Sequence, residues 1–187
     1  MLEIGNGHQN KIEYTTQFSL WCIAKAPLLL GCDLSNAQVM NGTAADAFEI
    51  FLNKEAIAIS QDPLAMPASH IAFSGNVEVW AGPLEAGGKV LLFLNGGSQE
   101  QSSVEFPLSL LGAFEDGESA DGMQSQVVTE VSCRDVWLHA ACTGGGSLSL
   151  AGNITVDVPI HGVRMLRLTP KTRSGLAQAV AAKHGAC

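Results

Sequence analysis

Basic residues are scarce and scattered: ten Lys and Arg stand against eighteen Asp and Glu in 187 residues, a formal charge of −8. No cluster of Lys and Arg is available to displace counterions from a polyanion, which argues against nucleic acid and anionic membrane surfaces as partners. Long apolar runs are also missing. The best window, Leu20 to Leu30, is interrupted by Lys25 and Pro27 and falls short of the roughly 18 residues that a spanning helix needs. The chain opens Met1-Leu2-Glu3-Ile4-Gly5-Asn6-Gly7, without the charged stretch and apolar core of an export signal. That opening reads as a strand entering a glycine-rich turn, and it predicts either a protein that is not exported or a true start farther upstream. Among Cys22, Cys32, Cys133, Cys142 and Cys187 there is no CxxC, and the histidines have no ligand spacing, so neither a zinc site nor a disulfide-dense miniprotein is expected.

What is present is a core. Hydrophobic residues make up 47% of the chain, too many for a disordered one, and the length supports a sizeable interior. From Lys11 to Ala26 the residues Tyr14, Phe18, Trp21, Cys22 and Ala26 recur at three- and four-residue steps, one face of a helix that Pro27 ends. Leu28-Leu29-Leu30-Gly31-Cys32-Asp33 follows as a strand expected to be buried on both faces, as in parallel sheets. Thr43 can cap a second helix over 44–52, whose face is Ala47, Phe48, Phe51 and Leu52. Strand, helix, strand, helix is an α/β segment of two units, too few to close a sheet.

From His70 onward the pattern turns to short β-like runs near 71–73, 77–81, 89–95, 103–106, 126–131, 135–139, 147–150, 154–158 and 163–168, separated by Gly, Asn, Ser and Asp. Ile154-Thr155-Val156-Asp157-Val158 alternates cleanly, as a strand with one wet face does. Eight or nine such strands predict an antiparallel sandwich. Residues 115–122 read as a solvated acidic hairpin tip, and the mildly basic stretch after Pro170 as a frayed or weakly helical tail. Cys133 and Cys142 flank a strand-and-loop hairpin and either pair or stay free, according to the redox compartment. Asn41-Gly42-Thr43 and Asn153-Ile154-Thr155 are glycosylation sequons that count only on the secretory route.

Several blocks carry a resemblance. Residues 1–7, Phe18-Ser19-Leu20-Trp21, Lys25-Ala26-Pro27-Leu28-Leu29-Leu30-Gly31-Cys32-Asp33-Leu34 and Glu49 through Leu64 closely resemble the end of the catalytic barrel of the α-galactosidases (melibiases), a family of retaining glycoside hydrolases. Val79-Trp80-Ala81-Gly82-Pro83-Leu84, Arg134-Asp135-Val136-Trp137 and Pro159 through Leu168 look like that family's C-terminal β-domain. The resemblance implies a multi-domain chain, α/β plus all-β: the last two strand–helix units of a (β/α)8 TIM barrel in residues 1–68, an antiparallel β-sandwich in 69–170, and a tail in 171–187. A whole barrel takes about 250 residues.

A retaining glycosidase needs a nucleophile and an acid/base carboxyl group about 5–5.5 Å apart. The resemblance places both family aspartates on earlier strands, and no Lys here is followed by Asp two places on, so no catalytic residue is expected in this chain. Met1 falls where the family has an Asp-Met pair at the pocket wall and is the one expected substrate-contacting residue; its Asp neighbour is absent. Asp33 and His8 sit at the carboxyl ends of the implied strands, with structural roles expected first. Trp21 and Trp80 are expected in the core, and Trp137 there or stacked on sugar. An insertion-like 37–42 lengthens a loop on the active face.

By resemblance the partners are α-galactoside oligosaccharides or glycoconjugates, with no cofactor or metal, no nucleic acid and no membrane; a homodimer is admitted, and the location is secreted or lysosomal/vacuolar. Two other readings stand beside α-galactosidase: an α-N-acetylgalactosaminidase fragment, and a non-catalytic carbohydrate-binding or structural sandwich. Because the sandwich strands can form a core unaided, residues 70–170 alone are expected to be more soluble than 1–187.

Overall fold

The structure, a computed structural model, describes residues 1–35, 47–114, 128–142 and 147–171. The sequon at Asn41, the insertion-like 37–42, the acidic loop 115–122 and all but the first residue of the tail lie outside the described residues.

Helix α1 (Lys11–Ile23) begins at a capping box: the Asn10 side chain accepts from the Glu13 amide, and the Glu13 carboxylate accepts from the Asn10 amide. Its buried stripe is Tyr14, Phe18, Ser19, Cys22 and Ile23. The helix stops three residues before the expected end, because Lys25 takes a left-handed φ of 56° ahead of Pro27. Of the expected second helix, α2 (Ala47–Phe51) is described. A third helix, α3 (Lys54–Ser60), follows at once, and Asn53 caps it by accepting from the Glu55 and Ala56 amides at 3.0 Å each.

Residues 2 and 30 form a single parallel bridge: the Leu2 amide donates to Leu29 O (2.8 Å) and the Gly31 amide to Leu2 O (3.0 Å). Gly31 is required there, since an added Cβ would lie 2.7 Å from Leu2 O. The strand expected to be buried on both faces is open on one flank. Leu29 is 58% and Leu30 37% exposed, because no further parallel neighbour covers them among the described residues.

The β-region contains nine described strands: β1 (Ser69–Ser74), β2 (Val77–Pro83), β3 (Lys89–Leu94), β4 (Gln101–Pro107), β5 (Glu130–Asp135), β6 (Ala140–Ala141), β7 (Ser147–Ser149), β8 (Asn153–Val158) and β9 (Val163–Pro170). Seven form one antiparallel sheet in the order β1-β2-β3-β9-β5-β6, with β7 also on β5; β4 and β8 form the second. Period-two alternation sorts the side chains. On β3 and β9, Leu91, Phe93, Leu166 and Leu168 face the β4–β8 sheet with Phe106, Ile154 and Val158.

The strand expected over 135–139 is a turn instead. Asp135 Oδ1 accepts from the Trp137 (3.0 Å) and Leu138 (2.8 Å) amides, closing the chain into the β5–β6 hairpin, and His139 follows at φ 50°. Cys133 and Cys142 are joined by a disulfide across that hairpin, Cα atoms 5.3 Å apart.

The opposite face of the large sheet is not wet. Val90, Leu92, Val163 and Met165 share one core with Leu2, Ile4, Tyr14, Phe18, Cys22, Ile50 and Ile59. Residue 68 therefore marks a change of secondary structure without a gap in the interior. This reverses the expected solubilities: a sandwich cut at residue 69 uncovers its second apolar face, and is the piece expected to aggregate.

Candidate functional site

The carboxyl ends of the two parallel segments carry the residues singled out from the sequence. Met1 is 73% exposed, with its Cβ beside Gly31. His8 is exposed in the loop before α1 and has no hydrogen-bond partner among the described residues. Asp33 Oδ1 accepts from Ser35 Oγ (2.6 Å) and the Ser35 amide (2.8 Å), and these bonds, the hydroxyl first, hold the exposed carboxyl below its usual range. A glycosidase acid needs the opposite, a carboxyl whose pKa is raised by an apolar site. Asp33 thus has the geometry of a turn cap, and no hydrogen bond or ion pair among the described residues brings Met1, His8 and Asp33 together. Nor do three or more His, Cys, Asp or Glu gather as metal ligands among the described residues.

The polar chemistry of the chain is concentrated along the seam between the helices and the large sheet. Asn53 is 4% exposed; besides capping α3, its Nδ2 donates to Val136 O (3.1 Å) in the β5–β6 turn. Two residues on, Glu55 receives both the Arg134 guanidinium (2.9 and 2.7 Å) and His139 Nδ1 (2.8 Å). The Arg134 hydrogen bond leads in bringing its carboxyl down to about 2, with His139 adding to it. Asp62, 8% exposed, accepts from the Glu85 amide with both oxygens. Ser19 Oγ accepts from the Trp137 indole (2.9 Å), whose ring meets Phe18 edge-on. Trp137 is therefore a wedge in the seam, not an open sugar platform. Trp21 and Trp80 are only partly buried.

At the other end of α1, Glu13 Oε1 meets His161 Nδ1 (3.0 Å), and Thr16 Oγ1 donates to His161 O (2.8 Å). Gly162 permits this approach, because a Cβ there would lie 2.4 Å from Pro159 Cγ and 3.0 Å from Ile12 Cγ2. Neither Asn53 nor Glu55 was singled out from the sequence. An Asn followed two places on by Glu at a helix start is a visible capping signal, but nothing local names Val136 or Arg134 as the partner. The second sequon residue, Asn153, is exposed at the start of β8, as is Thr155.

A two-layered antiparallel sandwich welded by one sheet face to an α/β unit defines the class. The family model for the α-galactosidase C-terminal β-sandwich domain matches residues 74–168, and the chain belongs to the α-galactosidase (melibiase) family. It is 34% identical over 171 residues to an α-galactosidase of Coffea arabica, covering 91% of this chain and 39% of that protein. It is 35% identical over 177 residues to α-galactosidase 3 of Arabidopsis thaliana, covering 93% of this chain and 35% of that one. The crystal structure of α-galactosidase I from Mortierella vinacea superposes with a TM-score of 0.71 at 30% identity, over 90% of this chain and 38% of that one. A β-L-arabinopyranosidase from Geobacillus stearothermophilus shares the fold at 19% identity, with a TM-score of 0.65 over 87% of this chain and 31% of that one. The chain spans well under half the length of the curated relatives it matches.

Proposed function

We propose that this chain is the C-terminal part of an α-galactosidase that hydrolyses terminal α-D-galactosyl residues with retention, contributing the last two strand–helix units of the catalytic barrel and the sandwich that buttresses them. The observation that carries the reading is the parallel Leu2–Leu30 bridge with α1 behind it, in a chain 34% identical to a plant α-galactosidase over 91% of its length. Barrel active sites lie at the carboxyl ends of the strands, which here end at Met1–Asn10 and Cys32–Ser35. Met1 lines the sugar pocket in this reading, and the two carboxyl groups come from strands outside the chain. The flank left open by Leu29, Leu30 and Leu34 is where those strands pack. The α-galactosidase reading is put ahead of the α-N-acetylgalactosaminidase one on the support of the curated relatives named above.

The Cys133–Cys142 disulfide favours an oxidising compartment, secreted or vacuolar, with glycans on Asn41 and Asn153. Two experiments test the reading. Sequencing the transcript upstream of Met1 is expected to find an open frame supplying the remaining strands and two aspartates; an in-frame stop directly upstream contradicts it. Purified 1–187, assayed with an aryl α-galactoside, is expected to show no turnover above background at any pH. Turnover that vanishes in Asp33→Asn would transfer the chemistry to Asp33 and overturn the assignment.

A further inference from the structure

Between α1 and the turns that follow β3 and precede β9 lies an open groove of about 380 Å³, within the roughly 300–1,000 Å³ range of small-molecule sites. Gln9, Glu13, Gln17 and Trp21 line one wall, on successive turns of α1 and the loop before it; Asn95 and His161 line the other.

Much of the polar lining is already fixed. Asn95, fully buried, spends its amide on Gln99 O, Val158 O, Pro159 O and the Gly97 amide, so it sets the wall in place. Gln17 Oε1 accepts from the Glu3 amide, which orients its Nε2 donor. Glu13 and His161 are the ionisable lining residues and face each other at 3.0 Å. What remains available among the described residues is the Gln9 amide, Gln17 Nε2, His161 Nε2 and the Trp21 indole N–H. The other two indoles are engaged, Trp80 with Glu78 and Trp137 with Ser19.

A part-buried indole beside oriented amide and imidazole groups matches a ligand with one apolar face and a rim of hydroxyls. The Glu13 carboxylate in the lining disfavours a phosphate, and both of its oxygens are already engaged, Oε2 by the Asn10 amide and Oε1 by His161 Nδ1, which leaves the groove's open valences to neutral donors. We propose that this groove is a second carbohydrate site, taking a neutral pyranoside between the helix and the sandwich, on residues wholly within this chain. It does not depend on the missing carboxyl pair; only the choice of a galactoside as ligand rests on the functional reading above.

The test is an NMR titration of the 187-residue chain with methyl α-D-galactopyranoside and, in parallel, methyl α-D-glucopyranoside. The Trp21 indole N–H is followed, with those of Trp80 and Trp137 as internal references. A saturable shift of the Trp21 resonance in the low-millimolar range is expected. The Gln9→Ala/Gln17→Ala variant, checked for an unchanged melting temperature, is expected to bind about tenfold more weakly. Should that variant misfold, Trp21→Phe serves: it keeps the apolar face, loses the N–H and is expected to weaken binding severalfold, read on the His161 resonances. Saturable binding of the glucoside alone supports the groove while counting against the galactoside reading. No saturable shift with either sugar up to about 100 mM, or undiminished binding in the variants, overturns the proposal.

Discussion

The carboxyl ends of the two parallel segments and the seam between helices and sheet use the same kinds of residue, carboxylates, histidines and amides, and differ in what those residues touch. At the strand ends, among the described residues, Asp33 bonds to Ser35, two places on, and His8 has no hydrogen-bond partner. Along the seam Glu55 reaches Arg134 and His139, Asn53 reaches Val136, and Glu13 reaches His161, contacts that span 79 to 148 residues of sequence. Among the described residues the first set makes local contacts alone, whereas the second ties two kinds of architecture into one body. Among the described residues the long-range polar contacts gather at the seam and not at the strand ends.

The largest test of that contrast is in the core. Leu91 and Leu92 are neighbours on β3, both fully buried, one facing the second sheet and the other the helices. Each Leu→Ala change is expected to lower unfolding free energy by about 2–5 kcal/mol in a urea titration. A Leu92→Ala loss far below that of Leu91→Ala breaks the picture of an equally packed seam. Next comes Asn53→Ala, which removes a helix cap and leaves Val136 O unpaired, with an expected loss of about 2 kcal/mol. Asn53→Asp keeps the cap and loses the donor, so it is expected to fall between wild type and Ala, separating the two contributions.

Glu55 gives a smaller effect with a pH signature. Its folded pKa is depressed to about 2 from an ordinary 4.5, so its stabilisation is present above the ordinary carboxyl range and is lost as pH falls through that window. Partly exposed ion pairs are screened, and Glu55→Gln is expected to cost about 1 kcal/mol at neutral pH. The variant's stability should also fall less steeply between pH 4.5 and 2, which thermal melts across that range check. The smallest effect is chemical. Burial pushes the Cys22 thiol up to about 12, while Cys32 is part-exposed. Brief iodoacetamide treatment followed by peptide mapping should label Cys32 and spare Cys22. Rapid labelling of Cys22 would mean that α1 detaches readily from the sheet.

Much of this was legible in the sequence where the signal is local. The period of Tyr14, Phe18 and Cys22 located α1, and the alternation of Ile154, Val156 and Val158 located β8 with its buried face. The misreading at 135–139 has a definite cause: Val136 and Trp137 have strand-forming side chains, but Asp135 bonds the amides that follow it, and that turn chemistry outweighs propensity. The seam was not legible. Val90 and Leu92 read as half of an ordinary buried strand, and nothing near them in sequence says that the second face meets Phe18 rather than water. Of the candidate site, the strand-end residues could be listed, but the groove on α1 could not, because Asn95 and His161 come to it from turns about 80 and 150 residues away from Gln17 and Glu13.

The central claim, that residues 1–68 and the sandwich are one folded body, is tested most directly by native-state hydrogen exchange on the 187-residue chain. The account predicts that the slowest amides of α1, such as those of Phe18 and Cys22, open with the same free energy and denaturant dependence as those of Leu92 and Met165 in β3 and β9. Exchange of the α1 amides through a separate opening of several kcal/mol lower free energy, with the sandwich amides still protected, would contradict it.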